Sequence, residues 1–155
     1  MVTTGPRLLF VYGTLKSTAS SAMGRGQRAR LDAASRIAGR AAAAGYLFDL
    51  GGYPWLVLRR PDGASNDARF IANKNMGRVT GELRELADRD DVFSWLDVYE
   101  GIGVNAQEAD AYRREILPVI HRDASGNEVV SRAWIYIYQG PLTGARLLSD
   151  GVWQV

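Results

Sequence analysis

Phe93-Ser94-Trp95-Leu96-Asp97-Val98-Tyr99-Glu100-Gly101 is the stretch whose apolar spacing reads as a strong helix, in a chain whose other apolar runs read as strands. Phe93, Leu96 and Glu100 fall at i, i+3 and i+7, on one side of a helix together with Val92 and Tyr99. The stripe that should face the core therefore finishes on a carboxylate. Gly101 supplies a stop signal, which puts Glu100 at the negative end of the helix dipole. Burial and the dipole both oppose ionisation, so the stretch predicts a carboxyl of raised pKa, as a general acid/base near neutral pH requires.

Outward from this helix the pattern changes to strands. Residues 7–12 form a short apolar run stopped by Gly13, a buried first strand that opens into a loop. The following residues to 30 are small, polar and irregular. Residues 36–49 become Ala-rich and then apolar, and Gly39 and Gly45 argue against a helix there. They predict one long bent strand ending at the turn Asp49-Leu50-Gly51-Gly52. Residues 53–58 read as a further strand, placed at an edge because Pro54 cannot donate to a ladder.

Residues 61–75 have loop composition and read as an insertion between strands. Residues 77–86 form the next strand, Asp88 or Asp90 opens the helix, and residues 103–110 read as a loop after it. Two last strands, 112–120 and 129–138, flank a polar hairpin connection at Asp123-Ala124-Ser125-Gly126-Asn127. The tail beyond residue 141 has room for a short helical turn. Many strands with one principal helix predict an α+β fold. The expected form is a single domain over 1–155, a small curved mixed sheet or barrel with the helix packed on it.

Composition narrows the chemistry. At 155 residues and 46% hydrophobic, the chain can bury one good core. With no cysteine, disulfides, thiolate nucleophiles and thiolate metal sites are excluded, and a reducing cytoplasm is the expected location. No apolar window reaches the length of a membrane span, so no membrane partner is expected. The net charge of +2 does not announce a nucleic-acid partner, and the local cluster Arg25, Arg28 and Arg30 reads as a solvated loop or helix face.

His121 is the single histidine and stands beside a turn, and no Gly-x-Ser-x-Gly elbow occurs, so a serine triad is not expected. Neither is a metal site, because one histidine and scattered carboxylates lack the ligand spacing. Gly24-Arg25-Gly26 is too small a fragment to mark a dinucleotide fingerprint.

Two features remain. One is Glu100. The other is the loop Tyr12-Gly13-Thr14-Leu15-Lys16, where glycine after a buried strand lets consecutive amides turn toward an anion or a developing oxyanion. Glu82 is a competing carboxylate: it alternates with core-facing Val79, Gly81 and Leu83, so its side chain meets either solvent or a cavity. A structural rival for Glu100 is a buried ion pair with Arg113 or Arg114. Tyr112, Tyr136 and Tyr138 can supply hydroxyls or simply pack, and the four tryptophans read as core.

Taken in order, six segments resemble the gamma-glutamylcyclotransferase-like family, which includes gamma-glutamylamine cyclotransferases. They are Val11-Tyr12-Gly13-Thr14-Leu15-Lys16, Gly45-Tyr46-Leu47-Phe48-Asp49-Leu50-Gly51-Gly52-Tyr53-Pro54, Val79-Thr80-Gly81-Glu82-Leu83, Leu96-Asp97-Val98-Tyr99-Glu100-Gly101, Tyr112-Arg113-Arg114 with Val119, and Ala133-Trp134-Ile135-Tyr136-Ile137-Tyr138. The resemblance implies release of 5-oxoproline from a small γ-glutamyl substrate by intramolecular aminolysis, with Glu100 as general acid/base. It implies substrate binding by Tyr12, Gly13, Thr14 and Leu15, accessory roles for Glu82, Arg114 and Tyr138, and no cofactor. It leaves the leaving group open. The alternative is a non-catalytic small-molecule-binding or interaction module of the same fold.

Overall fold

Strands covered on both faces account for the apolar runs of this sequence, because every second side chain enters a closed core while its neighbours meet helices outside. The computed structural model describes residues 5–13, 15–17, 19, 24–57, 77–102, 112–140, 144–148 and 150–153. Five strands close into a barrel in the order β1 (Leu8–Val11), β5 (Arg78–Leu86), β2 (Ser35–Ala44), β6 (Tyr112–Arg122) and β7 (Glu128–Tyr138). All neighbouring pairs are antiparallel except β7 and β1, which run parallel and meet at Leu9 and Trp134. Phe10, Ala43, Val79, Leu83, Val119, Ala133, Ile135 and Ile137 fill the interior.

The outer faces of β1 and β7 carry α2 (Arg89–Tyr99), and α1 (Arg25–Ala34) packs beside it. Leu9, Val11, Trp134 and Tyr136 point out of the barrel toward Leu31, Val92, Phe93 and Leu96. Two opposed cores thus share one sheet wall. Asp88 caps α2 by accepting from the Asp91 amide at 3.1 Å, and Asp90 and Asp91 suit the positive end of its dipole.

A second sheet in the order β4 (Tyr53–Val57), β3 (Tyr46–Leu50), β8 (Arg146–Leu148) stands against the barrel. The α+β barrel with a principal helix agrees with the sequence reading, as does β4 at an edge. Three expectations need correction. The bent strand over 36–49 is two strands in different sheets, β2 and β3, separated at Gly45. The tail holds strand β8 rather than a helical turn. The stretch to residue 30 reads as irregular, yet residues 25–34 form α1, whose single deeply buried aliphatic residue is Leu31.

Helix α1 has little apolar periodicity to betray it, because arginine does part of its packing. Arg28 is buried, and the Arg30 guanidinium lies 4.6 Å from the centre of the Trp95 ring. From β5, the buried Arg84 reaches Asp32 of α1 and also lies 2.8 Å, by Nε, from Glu82 Oε1, close enough for charge attraction though poorly directed for a hydrogen bond. The insertion at 61–75 and the loop at 103–110 lie outside the described residues.

Where β1 ends, barrel and small sheet touch. A side chain on Gly13 would place its Cβ 2.3 Å from Pro54 Cγ, so glycine is required there by the close approach of β4. Gly13→Ala is therefore expected to cost about 1–3 kcal/mol through overpacking. Equilibrium denaturation measures this, and an unchanged midpoint would show that the two sheets can part freely.

Candidate functional site

Beyond the Leu9–Trp134 contact, β1 and β7 run on without further ladder pairing to each other, and a cavity of about 500 Å³ opens at that end of the barrel. That volume suits a small organic ligand, whose pockets span roughly 300–1,000 Å³. Val11, Tyr12, Gly13 and Leu15 form one wall, Tyr53, Pro54 and Trp55 of β4 another, and Tyr112 and Tyr136 come from β6 and β7. Tyr99 and Glu100 arrive from the end of α2. Glu100 is the one charged side chain among these lining residues.

The way α2 ends fixes that carboxylate. Glu100 is the C-cap, and Gly101 follows in the left-handed conformation at φ 81°. The Gly101 amide donates to the Val98 carbonyl at 3.0 Å and the Ile102 amide to the Asp97 carbonyl at 2.9 Å, the double bond pattern of a Schellman ending. Ile102 then packs against the cluster beneath the helix, so the chain cannot unwind there without losing apolar burial. Val92, Phe93 and Leu96 are buried as expected, whereas Tyr99 is exposed at the cavity edge rather than in the core stripe.

Glu100 stays half-buried by accessibility because one side of it forms cavity wall. Loss of hydration is still the leading influence on its carboxyl, followed by the Asp97 charge one turn back, and together they push its pKa up to about 7. Among the described residues it has no ion-pair partner. The structural rival is answered by where the arginine goes. Arg114 donates from Nε and Nη2 to the two oxygens of Asp97, at 2.9 and 3.0 Å, and its guanidinium lies over the rings of Phe93 and Trp134. Arg114 thus lies behind the cavity wall, in contact with neither the cavity nor Glu100's carboxyl.

Hydroxyls surround the acid. Tyr12 donates to the Tyr136 carbonyl at 2.8 Å. Tyr136 donates to Asp97 Oδ1 at 2.6 Å, and Tyr112 donates to the Pro54 carbonyl at 3.2 Å. Burial raises the pKa of all three phenols, with Glu100 adding to it, so they stay protonated donors near neutrality. Tyr138 stands behind them: its ring stacks on Trp55 at 3.8 Å and meets Tyr112 edge-on at 5.6 Å. It supports the wall and does not line the cavity.

The loop after β1 is braced from outside. Lys16 N–H donates to the Gly13 carbonyl at 3.1 Å, which closes a turn, and Lys16 Nζ donates to the Trp153 carbonyl at 2.9 Å. Glu82 accepts from the Ser17 amide at 3.0 Å and the Ser17 hydroxyl at 2.5 Å. It is therefore a support of the loop and is not among the lining residues. The amides of Gly13 and Leu15 carry no hydrogen bond to any described residue, and Thr14 lies outside the described residues. His121, hydrogen-bonded with Ser131 Oγ at 2.7 Å, is not part of this site.

Sequence reasoning missed Asp97, Pro54 and Trp55 as members or supports of the site. Asp97 was findable, since it precedes Glu100 by three positions and so neighbours it on the helix surface. Pro54 and Trp55 become visible only once β4 is known to lean on the barrel.

Residues 9–155 match the family model described as "Gamma-glutamyl cyclotransferase, AIG2-like". Among solved structures, the chain is similar to an AIG2-like protein from Mus musculus, at 22% identity and TM-score 0.57, covering 87% of this chain and 80% of that one. It is also similar to protein ytfP from Escherichia coli, at 23% identity and TM-score 0.51 over 94% and 95% of the two chains. An uncharacterized protein from Pyrococcus horikoshii matches at 16% identity and TM-score 0.51, over 94% and 87%. A search of the curated proteins found no significant match. The chain belongs to the gamma-glutamyl cyclotransferase, AIG2-like family.

A buried acid whose pKa is raised costs stability once it ionises: the folded state holds the proton up to about pH 7, the unfolded chain gives it up near 4.5, and stability falls across that window. Glu100→Gln removes the titration. The variant is expected to melt above the wild type at pH 8, with the difference vanishing by pH 4; equal melting at both pH values would mean that the carboxyl is well hydrated.

Proposed function

We propose that this member of the family releases 5-oxoproline from a small γ-glutamyl substrate, by attack of the substrate's own α-amine on its γ-carbonyl. The observation that supports this reading is Glu100, the single carboxyl among the described residues lining an aromatic cavity that Gly13 and Leu15 also line, with burial and the Asp97 charge pushing its pKa up to about 7. Such an acid exchanges protons at neutral pH, and nothing else among the described lining residues can.

The substrate brings both nucleophile and electrophile, so the protein's part is orientation and proton transfer. Ionised Glu100 takes a proton from the attacking nitrogen as the new C–N bond forms. It returns a proton to the departing nitrogen as the old C–N bond breaks, leaving 5-oxoproline and a free amine or amino acid. The amides of Gly13 and Leu15, with Thr14 between them, balance the negative charge that develops on the carbonyl oxygen. Tyr12 lines the pocket, and its hydroxyl holds the strand ends in place through Tyr136. Neutral phenols at Tyr112 and Tyr136 add polar contacts to a mainly apolar surround, in which each hydrogen bond is stronger than in water.

A panel of γ-glutamyl dipeptides and γ-glutamylamines, scored for 5-oxoproline by mass spectrometry, tests the reaction and identifies the leaving group. Glu100→Gln is close to isosteric and should cut turnover by at least about 10²-fold while substrate still binds. Because the carboxylate form must accept the first proton, wild-type kcat/KM should fall tenfold per pH unit below about 7. Turnover in Glu100→Gln at the wild-type rate would remove Glu100 from the mechanism.

A further inference from the structure

Asp97 holds an expensive position. Its carboxylate is half-buried beneath the end of α2, three residues before Glu100, where a second negative charge repels the first. Three donors converge on it: Arg114 through Nε and Nη2, and Tyr136 through its hydroxyl, at 2.9, 3.0 and 2.6 Å. Arg114 is itself packed over the edge-to-face pair of Phe93 and Trp134, with ring centroids 3.9 and 4.6 Å away. Of these residues, Tyr136 alone also lines the cavity. A clamp built only for packing would not need its acid directly behind a second acid.

We infer that Asp97 is a positioning residue for Glu100, a fixed negative charge locked by Arg114 and Tyr136 that couples the end of α2 to the cavity wall on β7. The inference rests on the catalytic reading of Glu100, but its first consequence concerns the carboxyl alone. Among the described residues, the titratable groups that line the cavity with Glu100 or act on its carboxyl are Asp97 and Tyr99 from α2, Tyr12 from the end of β1, Tyr53 from β4, Tyr112 from β6 and Tyr136 from β7, with Arg114 acting through Asp97. Asp97 is the one anion among them, so its removal should make Glu100 a stronger acid. Tyr136 partly neutralises Asp97, so removal of its hydroxyl should make Glu100 a weaker acid. Opposite displacements from two members of one clamp are not what loosened packing produces.

The test is carboxyl ¹³C NMR titration of the full chain labelled at glutamate, with Glu100→Gln used to assign the signal. In Asp97→Asn the Glu100 midpoint should move down by about one pH unit, and in Tyr136→Phe it should move up. Asp97→Glu keeps the charge and should restore a midpoint near wild type. If Asp97→Asn fails to fold, Tyr136→Phe carries the test alone, because its ring still fills the same space. A midpoint unmoved in both variants, or moved the same way in both, overturns the inference. Where 5-oxoproline is formed, the acid limb of kcat/KM should follow the NMR midpoint in each variant. If the wild type forms none while the midpoints still move oppositely, the charge coupling stands and the catalytic reading fails.

Discussion

Everything at this site depends on keeping one carboxyl where it is poorly hydrated and, among the described residues, without an ion-pair partner. A carboxylate so placed would normally recruit an arginine or turn outward, and both escapes are closed. Arg114 is committed to Asp97 and packed over Phe93 and Trp134. The Schellman ending at Gly101 and the partly buried Ile102, packed against the cluster beneath the helix, hold the backbone of Glu100 against rotation. The cost of leaving an acid in this state is what poises it to carry a proton near neutral pH.

The barrel supplies the opposing wall. Strands β1 and β7 run parallel and pair at Leu9 and Trp134, and Tyr12 and Tyr136, further along the chain at that end, line the cavity. Parallel neighbours in a sheet of otherwise antiparallel strands are a natural place for such an opening, because no hairpin ties their ends together. Tyr12 ties this wall to the Tyr136 carbonyl, and Pro54 and Trp55 of β4 form a further wall. The loop after β1 is steadied from behind by Glu82 and by the contact of Lys16 with the Trp153 carbonyl. Gly13 and Leu15 of that loop line the cavity.

Much of this was legible in the sequence, for definite reasons. The helical spacing of Val92, Phe93 and Leu96 located α2, the period-two runs located most of the strands, and Pro54 marked β4 as an edge. Local signals failed where tertiary contacts decide. Helix α1 packs through Arg28 and Arg30 rather than an aliphatic stripe, so periodicity did not reveal it. The break at Gly45 divides one apolar run between two sheets, which only long-range pairing determines. Glu82 and Arg114 were recognised as unusual charges near the site, but their partners, Ser17 and Asp97, are set by register between distant strands and helices.

The central claim is that Glu100 and the amides after β1 face one another across a space shaped for a cyclised γ-glutamyl group. A crystal structure of the protein with 5-oxoproline tests this most directly. The account predicts the product in the cavity, with its ring nitrogen within hydrogen-bonding distance of the Glu100 carboxyl and its ring carbonyl oxygen toward the amides of Gly13 and Leu15. Product bound elsewhere, or bound in the cavity with Glu100 turned to solvent, would contradict it.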